Sequence, residues 1–267
     1  MRKLIVLAGC VLSASSAWAD WLDEVSDLQS QQPHWVTPLV TVTPRLEQEY
    51  RVDVLQTQLP NGQLVNNYGN GKGLEMVVPT LPVEVAVSGP AYIDHPGHHL
   101  LNGYTDTSFL LKYRIYSENE EQGNAIVTAF LGGSLPMGSG TNVGTNPAAV
   151  YTPTLAVGKG YGIFDVQSTL GYSLPVADVN RIGHTLLWNT AVQAHCGSFW
   201  PELEYNQTSW QDGPLSGKRL GMVTAGFLWR HPLVKRIGIV LGLGYEKPIT
   251  SYYPQEHTWL ATARLPF

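Results

Sequence analysis

In the stretch WNTAVQAH, Asn189, Gln193 and His195 share one parity, and a histidine beside an asparagine can orient a serine hydroxyl for nucleophilic attack. No serine is marked as its partner by spacing, so a hydrolytic reading rests on His195. Glu202 and Glu204 in FWPELEYN lie two residues apart on one strand face, about 7 Å, where paired carboxylates could act as acid and base on a glycoside. The same pair is ordinary lining for a polar cavity. HPGHH supplies His95, His98 and His99 as nitrogen donors for a divalent metal, with Asp94 as the adjacent acid. It matches no recognisable metal spacing, and neither a metal nor a cofactor is expected. The glycines of GKGYG, residues 158–162, precede no helical pattern and read as a tight turn, not a phosphate cradle.

These residues are carried by a chain that alternates almost from end to end. Helical spacing is confined to WLDEVSDLQSQQ, where Trp21, Leu22, Val25 and Leu28 recur about once per turn. The remainder reads as twelve strands near 41–58, 72–79, 82–90, 106–117, 125–136, 150–159, 163–175, 185–196, 199–210, 220–231, 236–247 and 257–267. Each has one greasy face and one polar or small face. In RIGIVLGLGYEK, Ile237, Ile239, Leu241, Leu243 and Tyr245 oppose Gly238, Gly242, Gly244 and Glu246.

A soluble sandwich and a membrane barrel share that pattern. Connection lengths separate them. Counted from the first strand, the connections alternate between long stretches rich in Gly, Asn, Pro, Asp and Tyr and tight turns such as TLP, KGYG and CGS, which is the asymmetry of an outer-membrane barrel. Aromatic residues toward strand ends on the apolar parity, among them Tyr113, Trp188, Trp229 and Trp259, suit interfacial girdles. The expected fold is all-β: an antiparallel up-and-down transmembrane barrel of about twelve strands, closed by the C-terminal strand.

In that barrel, parity turns Glu47, Glu49, Arg51, Asp53, Glu75, Glu84, Lys112, Arg114, Asp165, Glu202, Glu204, Glu246 and Arg264 toward the lumen. Two roles are open to them: a selectivity lining, or a salt-bridge network that plugs a narrow barrel. The closing stretch HTWLATARLPF puts Trp259, Leu265 and Phe267 on the lipid parity and Arg264 on the other. A terminal Phe preceded by apolar residues at every second position resembles the signal read by the barrel assembly machinery.

Residues 1–19, MRKLIVLAGCVLSASSAWA, have two basic residues, an apolar run and a small-residue ending, which read as a signal peptide cut after Ala19. LAGC at 7–10 also resembles a lipobox, but lipidation at Cys10 would leave an apolar core shorter than the roughly 7 to 15 residues such a leader uses. Residues 20–40 form an N-terminal segment, a short helix or plug, and 41–267 the barrel. Without Cys10, Cys196 stands alone, so no internal disulfide staples the fold. Charged residues make up 14% of the chain and the net charge is -5, which speaks against nucleic acid as a partner.

Several segments resemble one bacterial outer-membrane family: TPRLEQEYR (43–51), GNGKGLE (69–75), FLLKYRIYSENEEQGN (109–124), TPTLAVGKGYGIFDVQSTLG (152–171), FWPELEYN (199–206) and ARLPF. That family carries the label MetA-pathway of phenol degradation, or outer-membrane transporter. The resemblance implies a barrel of about twelve strands that passes small hydrophobic or aromatic molecules. The expectation is thus a passive channel or porter in the bacterial outer membrane, not an enzyme, with outer-membrane lipid, the assembly machinery and a small solute as partners. A hydrolase using His195 and a non-conducting structural or binding barrel are the alternatives.

Overall fold

The computed structural model describes residues 21–267 except 71, 72, 98 and 235. Residues 1–19, the expected leader with Cys10, and His98 lie outside the described residues. A helix, α1, covers residues 21–30, and an extended segment then runs to Gln48. The strands that follow are β1 (Glu49–Gln58), β2 (Leu64–Tyr68), β3 (Gly73–Val78), β4 (Val83–Ser88), β5 (Tyr92–Asp94), β6 (Gly103–Tyr104), β7 (Thr107–Glu118), β8 (Ala125–Leu135), β9 (Val150–Tyr161), β10 (Phe164–Pro175), β11 (Thr185–Ala194), β12 (Phe199–Trp210), β13 (Arg219–Pro232), β14 (Gly238–Pro248) and β15 (His257–Pro266). A single helical turn, α2 (Val179–Ile182), sits between β10 and β11.

Twelve of these strands, all but β2, β5 and β6, form one antiparallel ring, each paired with its neighbour. The ring closes where β15 pairs with β1 from Glu49↔Pro266 to Gln58↔His257. The three short strands continue β3, β4 and β7 outward, where the sequence pattern predicts loop. The upper half of β1 needs a partner beyond the end of β3, and β2 supplies it through Val54↔Tyr68 to Gln58↔Leu64. Between β2 and β3 the strand is broken, with Gly69 at φ 99 and Gly73 at φ 76. A side chain on Gly73 would also strike the Val87 carbonyl. Glycine is therefore required there twice over, by conformation and by space.

The lipid-facing surface follows the alternation. Tyr50, Val85, Leu111, Tyr113, Leu155, Leu170, Trp188, Leu203, Leu241, Leu243 and Trp259 are exposed, while Glu84, Lys112, Thr128, Gln167 and Thr224 are wholly buried on the other parity. An exposed apolar wall around a polar interior is the inverse of a soluble sandwich and is the surface a bilayer covers. One bulge interrupts it, between Arg114 and Tyr116 of β7. The long connections, such as 136–149, gather at one end, which is the extracellular end of such barrels, and the start of β1 and the end of β15 lie at the other.

Leu241 lies in the middle of β14 on the lipid side, 41% exposed. Leu241→Arg is expected to lower the folding free energy by about 2–4 kcal/mol in vesicles, the cost of a midplane cation. Urea titration of refolding into lipid vesicles measures it, and Leu241→Phe is the near-neutral control.

Candidate functional site

The barrel interior is occupied by the chain's own N-terminal segment. From the periplasmic end, residues 32–48 run into the lumen and back before β1 begins, and nearly all of them are buried. β1 starts at Glu49, not near residue 41. Pro44 has no amide to donate to a ladder, so the stretch before Glu49 does not pair as strand. Glu47, expected on the barrel wall, therefore belongs to the inserted segment.

An inserted segment outside any ladder must satisfy its backbone from elsewhere. Carboxylates of β12 accept its amides: Leu39 N–H reaches Glu202 Oε1 at 3.0 Å, Val40 N–H reaches Glu204 Oε1 at 2.8 Å and Thr41 N–H reaches Glu204 Oε2 at 2.6 Å. Guanidiniums of β1 and β15 donate to its carbonyls. Arg51 Nη2 reaches Leu39 O at 2.5 Å, and Arg264 donates to Thr37 O at 2.5 Å and Pro38 O at 2.9 Å. Arg51 also pairs with Asp53 at 2.6 Å, which holds the guanidinium in place. Gln167 accepts from Thr43 Oγ1 at 2.7 Å, and its own amide donates to Asp165, Gln193 and the Val36 carbonyl. Charge-assisted bonds of this kind are about twice as strong as neutral ones.

A second cluster ties the returning limb to the wall. Lys112 Nζ lies 3.0 Å from Glu84, 3.8 Å from Glu75 and 3.0 Å from the Arg45 carbonyl, with all three charged side chains fully enclosed. Glu84 also accepts the Glu47 amide at 2.5 Å, and Glu47 pairs with Arg45 at 3.0 Å. Arg114 donates to Leu28 O and Gln31 Oε1 at the foot of α1. Glu49 and Asp165 are buried beside these groups, and Glu246 is half-buried, within reach of Thr224 and Gln255.

The remaining fit is one of shape. Leu39 sits in a hollow made by glycines of β13 and β14. A methyl group built on Gly242 or Gly244 would stand 2.8 Å from its side chain, and one on Gly226 would overlap it. Trp35 lies over Gly158 in the same way, at 2.5 Å. With Val36, Ile126, Trp200, Leu228, Val240 and Leu260, these two residues form an apolar cluster inside the barrel. A side chain at Gly242 or Gly158 would press on Leu39 or Trp35 and weaken the seat of the segment.

Outside the membrane span, the β7–β8 turn latches the segment. Glu120 accepts His34 N–H at 2.6 Å and meets His34 Nδ1 at 2.9 Å. Partial burial pushes the Glu120 carboxyl up, and the bonds from His34 outweigh it, so the pKa lies below the ordinary carboxylate value. A carboxyl depressed in the folded state stabilises the latch above its unfolded pKa, about 4.3, and the stabilisation is lost as pH falls through the lower folded value. A spin label at Glu24 on α1 is expected to gain mobility as the pH is lowered from about 5 to about 3. Glu120→Gln should leave it mobile throughout that range.

The residues suggested for chemistry are not assembled into one site. His195 ends up at the periplasmic rim with its ring stacked on Trp200, centroids 4.1 Å apart, whereas Asn189 lies deeper and bonds Thr169 and Asn206. Glu202 and Glu204 face the lumen with their oxygens on backbone amides of the inserted segment. His95 is buried with its amide on Asn102, and His99 is exposed. Among the described residues, no three His, Cys, Asp or Glu side chains are grouped to hold a metal.

The sequence matches no family model and no curated protein. Among solved structures the fold is similar to the NanC porin, with a TM-score of 0.53 and 10% identity over 82% of this chain and 98% of that one. It is similar also to an outer-membrane channel from Pseudomonas putida F1, with a TM-score of 0.54 and 11% identity over 81% of this chain and 93% of that one. At such identities the likeness is one of fold. The chain has the architecture of bacterial outer-membrane channels, with a lumen that its own N-terminal segment fills.

Proposed function

We propose that the protein is an outer-membrane channel for small molecules, closed at rest by residues 32–48 and opened by their withdrawal. One observation carries this reading. The lumen is filled by a separate stretch of chain, packed among the strands' inward side chains and held by bonds from wall to backbone. A barrel meant to stay solid needs no removable filling, and twelve strands are wider than the eight whose side chains close the interior unaided.

With the segment withdrawn, the buried charges left on the described wall are seven acids, Glu49, Asp53, Glu75, Glu84, Asp165, Glu202 and Glu204, against four bases, Arg51, Lys112, Arg114 and Arg264. An excess of acids disfavours anions, so the lining suits neutral or cationic solutes. The resemblance to the family labelled for phenol degradation supports small aromatic molecules among the neutral ones.

Planar-bilayer recording tests the reading. Purified protein should open rarely, and a short thiol cross-link introduced through Leu39→Cys and Gly244→Cys, in a Cys196→Ser background, should abolish the openings until it is cleaved. A barrel that stays silent with its segment free would be the non-conducting alternative. Assembly is a separate proposal: Trp259, Leu265 and Phe267 act as the signal for barrel insertion. Phe267 bonds Gln48 O through its amide, a contact any residue could make, so its ring is available to that role. Phe267→Ala is expected to reduce the amount of heat-modifiable barrel in the outer membrane while leaving the conductance of the assembled fraction unchanged.

A further inference from the structure

At the periplasmic mouth a pocket of about 230 Å³ lies between the inserted segment and the wall. The segment contributes His34 and Trp35 to it. The wall contributes Glu120 and Asn124 from the β7–β8 turn, Asp165 from β10, and His195 and Trp200 from either side of the β11–β12 turn. Asp165 and Trp200 are buried on the lumen parity of their strands, so the pocket belongs to the inside of the wall. It is smaller than the roughly 300–1,000 Å³ that drug-sized ligands occupy.

Its polar side chains offer acceptors without donors. Asp165 is 1% exposed; one carboxylate oxygen accepts the Gln167 amide at 2.9 Å, and the other, Oδ2, has no hydrogen-bond partner. Asn124 Oδ1 is enclosed and unpartnered in the same way. An enclosed oxygen without a donor is costly, and more so when it carries charge. Glu120 adds a second carboxylate, held by His34. Among the described residues no lysine or arginine lines the pocket. Cations of neighbouring elements are committed elsewhere. Arg45 is within electrostatic range of Asp165 but bonds Glu47 at 3.0 Å, and Arg114 donates to Leu28 O and Gln31 Oε1. Lys159, on the outward parity of β9, bonds Gly123 O at 2.5 Å.

The walls are aromatic. The Trp200 ring is stacked on His195, with 4.1 Å between centroids and 11° between planes, and Trp35 lies over Gly158. Both tryptophans are 4% exposed, so packing fixes them in place. A metal ion needs more oxygen or nitrogen ligands than are grouped here. An organic ammonium ion matches the set: its N–H groups satisfy open oxygens, its charge meets a carboxylate without a cation, and its carbon part packs on rings.

We propose that this pocket binds a small primary ammonium ion, with Asp165 and Asn124 accepting its N–H groups and Trp35 and Trp200 packing on its carbon part. The proposal rests on the reading of residues 32–48 as a removable filling. His34 and Trp35 arrive with that segment, so the site is complete only while the lumen is closed. A ligand that binds the closed arrangement alone shifts the channel toward it. The amine therefore holds the channel shut from the periplasmic side.

Isothermal titration calorimetry of the full-length protein in detergent tests the site, with benzylamine as the probe and benzyl alcohol as its uncharged counterpart. The amine should bind in preference to the alcohol. Asp165→Asn should weaken its binding roughly 10- to 100-fold, the worth of one hydrogen bond to a charged group. Trp35→Leu should weaken it too; Trp35 belongs to no strand, and heat-modifiable migration verifies that both variants fold. In planar bilayers, benzylamine on the periplasmic side should lower the open probability of the wild type and not that of Asp165→Asn. Equal binding of amine and alcohol, or an Asp165→Asn protein that keeps the preference, would overturn the proposal. Competition by phosphatidylethanolamine but not phosphatidylglycerol would also overturn it, by assigning the site to a lipid headgroup. Selective binding with unchanged openings would overturn the hold on the segment. A protein that never opens would count against the channel reading, and the calorimetry would still decide the site.

Discussion

Leu39→Ala is expected to raise the open fraction of the channel by roughly 30-fold to several thousand-fold, because truncating a packed leucine costs about 2–5 kcal/mol and each 1.4 kcal/mol is tenfold in an equilibrium. The side chain seats only when the segment is inside the barrel, in the hollow over Gly226, Gly242 and Gly244. Its loss therefore acts on the closed state and leaves the open one nearly untouched. Leu39 belongs to no strand, so the barrel itself should form as before, and heat-modifiable migration on a gel should be unchanged. Gly242→Ala should open the channel from the other side of the same contact, because the added methyl would stand 2.8 Å from Leu39 and 2.6 Å from Leu228. In the double variant, Leu39→Ala with Gly242→Ala, the shortened side chain relieves the contact at 2.8 Å while those with Leu228 and Thr262 remain, so the two effects should cancel only in part. A purely structural injury at either site would add to the other. Single-channel open probability in planar bilayers reads all four proteins, and additive effects would mean that Leu39 is not the seat.

The strand positions were legible because the physics that sets them is local. A barrel strand between lipid and a polar lumen must alternate, and the alternation in TSFLLKYRIY or RIGIVLGLGYEK places the strand and its faces together. That parity assigns Lys112, Arg114 and Glu246 to the lumen side, and the structure puts them there. The first strand shows the limit of the same reasoning. Residues 41–48 continue the alternation of β1 well enough to extend it, and only Pro44 signals otherwise.

What the lumen charges do was not legible, for a physical reason. Glu202 and Glu204 take as their partners the amides of Leu39, Val40 and Thr41, more than 160 positions away. A backbone amide is the same at every residue, so no side-chain pattern announces that contact. Glycine gave a weaker hint. Gly242 and Gly244 stood out as small residues on the lumen face, but small residues also fit the taper of any barrel. Their meaning depends on Leu39 arriving from the far end of the chain.

The buried charges have an energetic consequence of their own, and Lys112→Met is expected to destabilise the barrel by about 3–5 kcal/mol, as when one partner of an enclosed ion pair is removed. Lys112 is fully enclosed with its ammonium 3.0 Å from Glu84 and 3.8 Å from Glu75. Methionine keeps the length of the stem and removes the positive charge, so Glu84 and Glu75 both lose the ammonium enclosed with them. The loss should appear as a lower urea midpoint for unfolding from vesicles. Lys112→Met combined with Glu84→Gln should recover more than half of it, because the glutamine removes the charge that lay 3.0 Å from the lost ammonium. Glu84 also accepts the Glu47 amide, so the single variant should loosen the returning limb of the inserted segment along with the wall. Closure and stability are then coupled through one residue, and the Lys112→Met protein should conduct more as well as unfold sooner. A cost below about 1 kcal/mol, the worth of a solvent-exposed pair, would show that water reaches this cluster with the segment seated. The lumen would then be a wet path around its filling, and the filling a constriction rather than a gate.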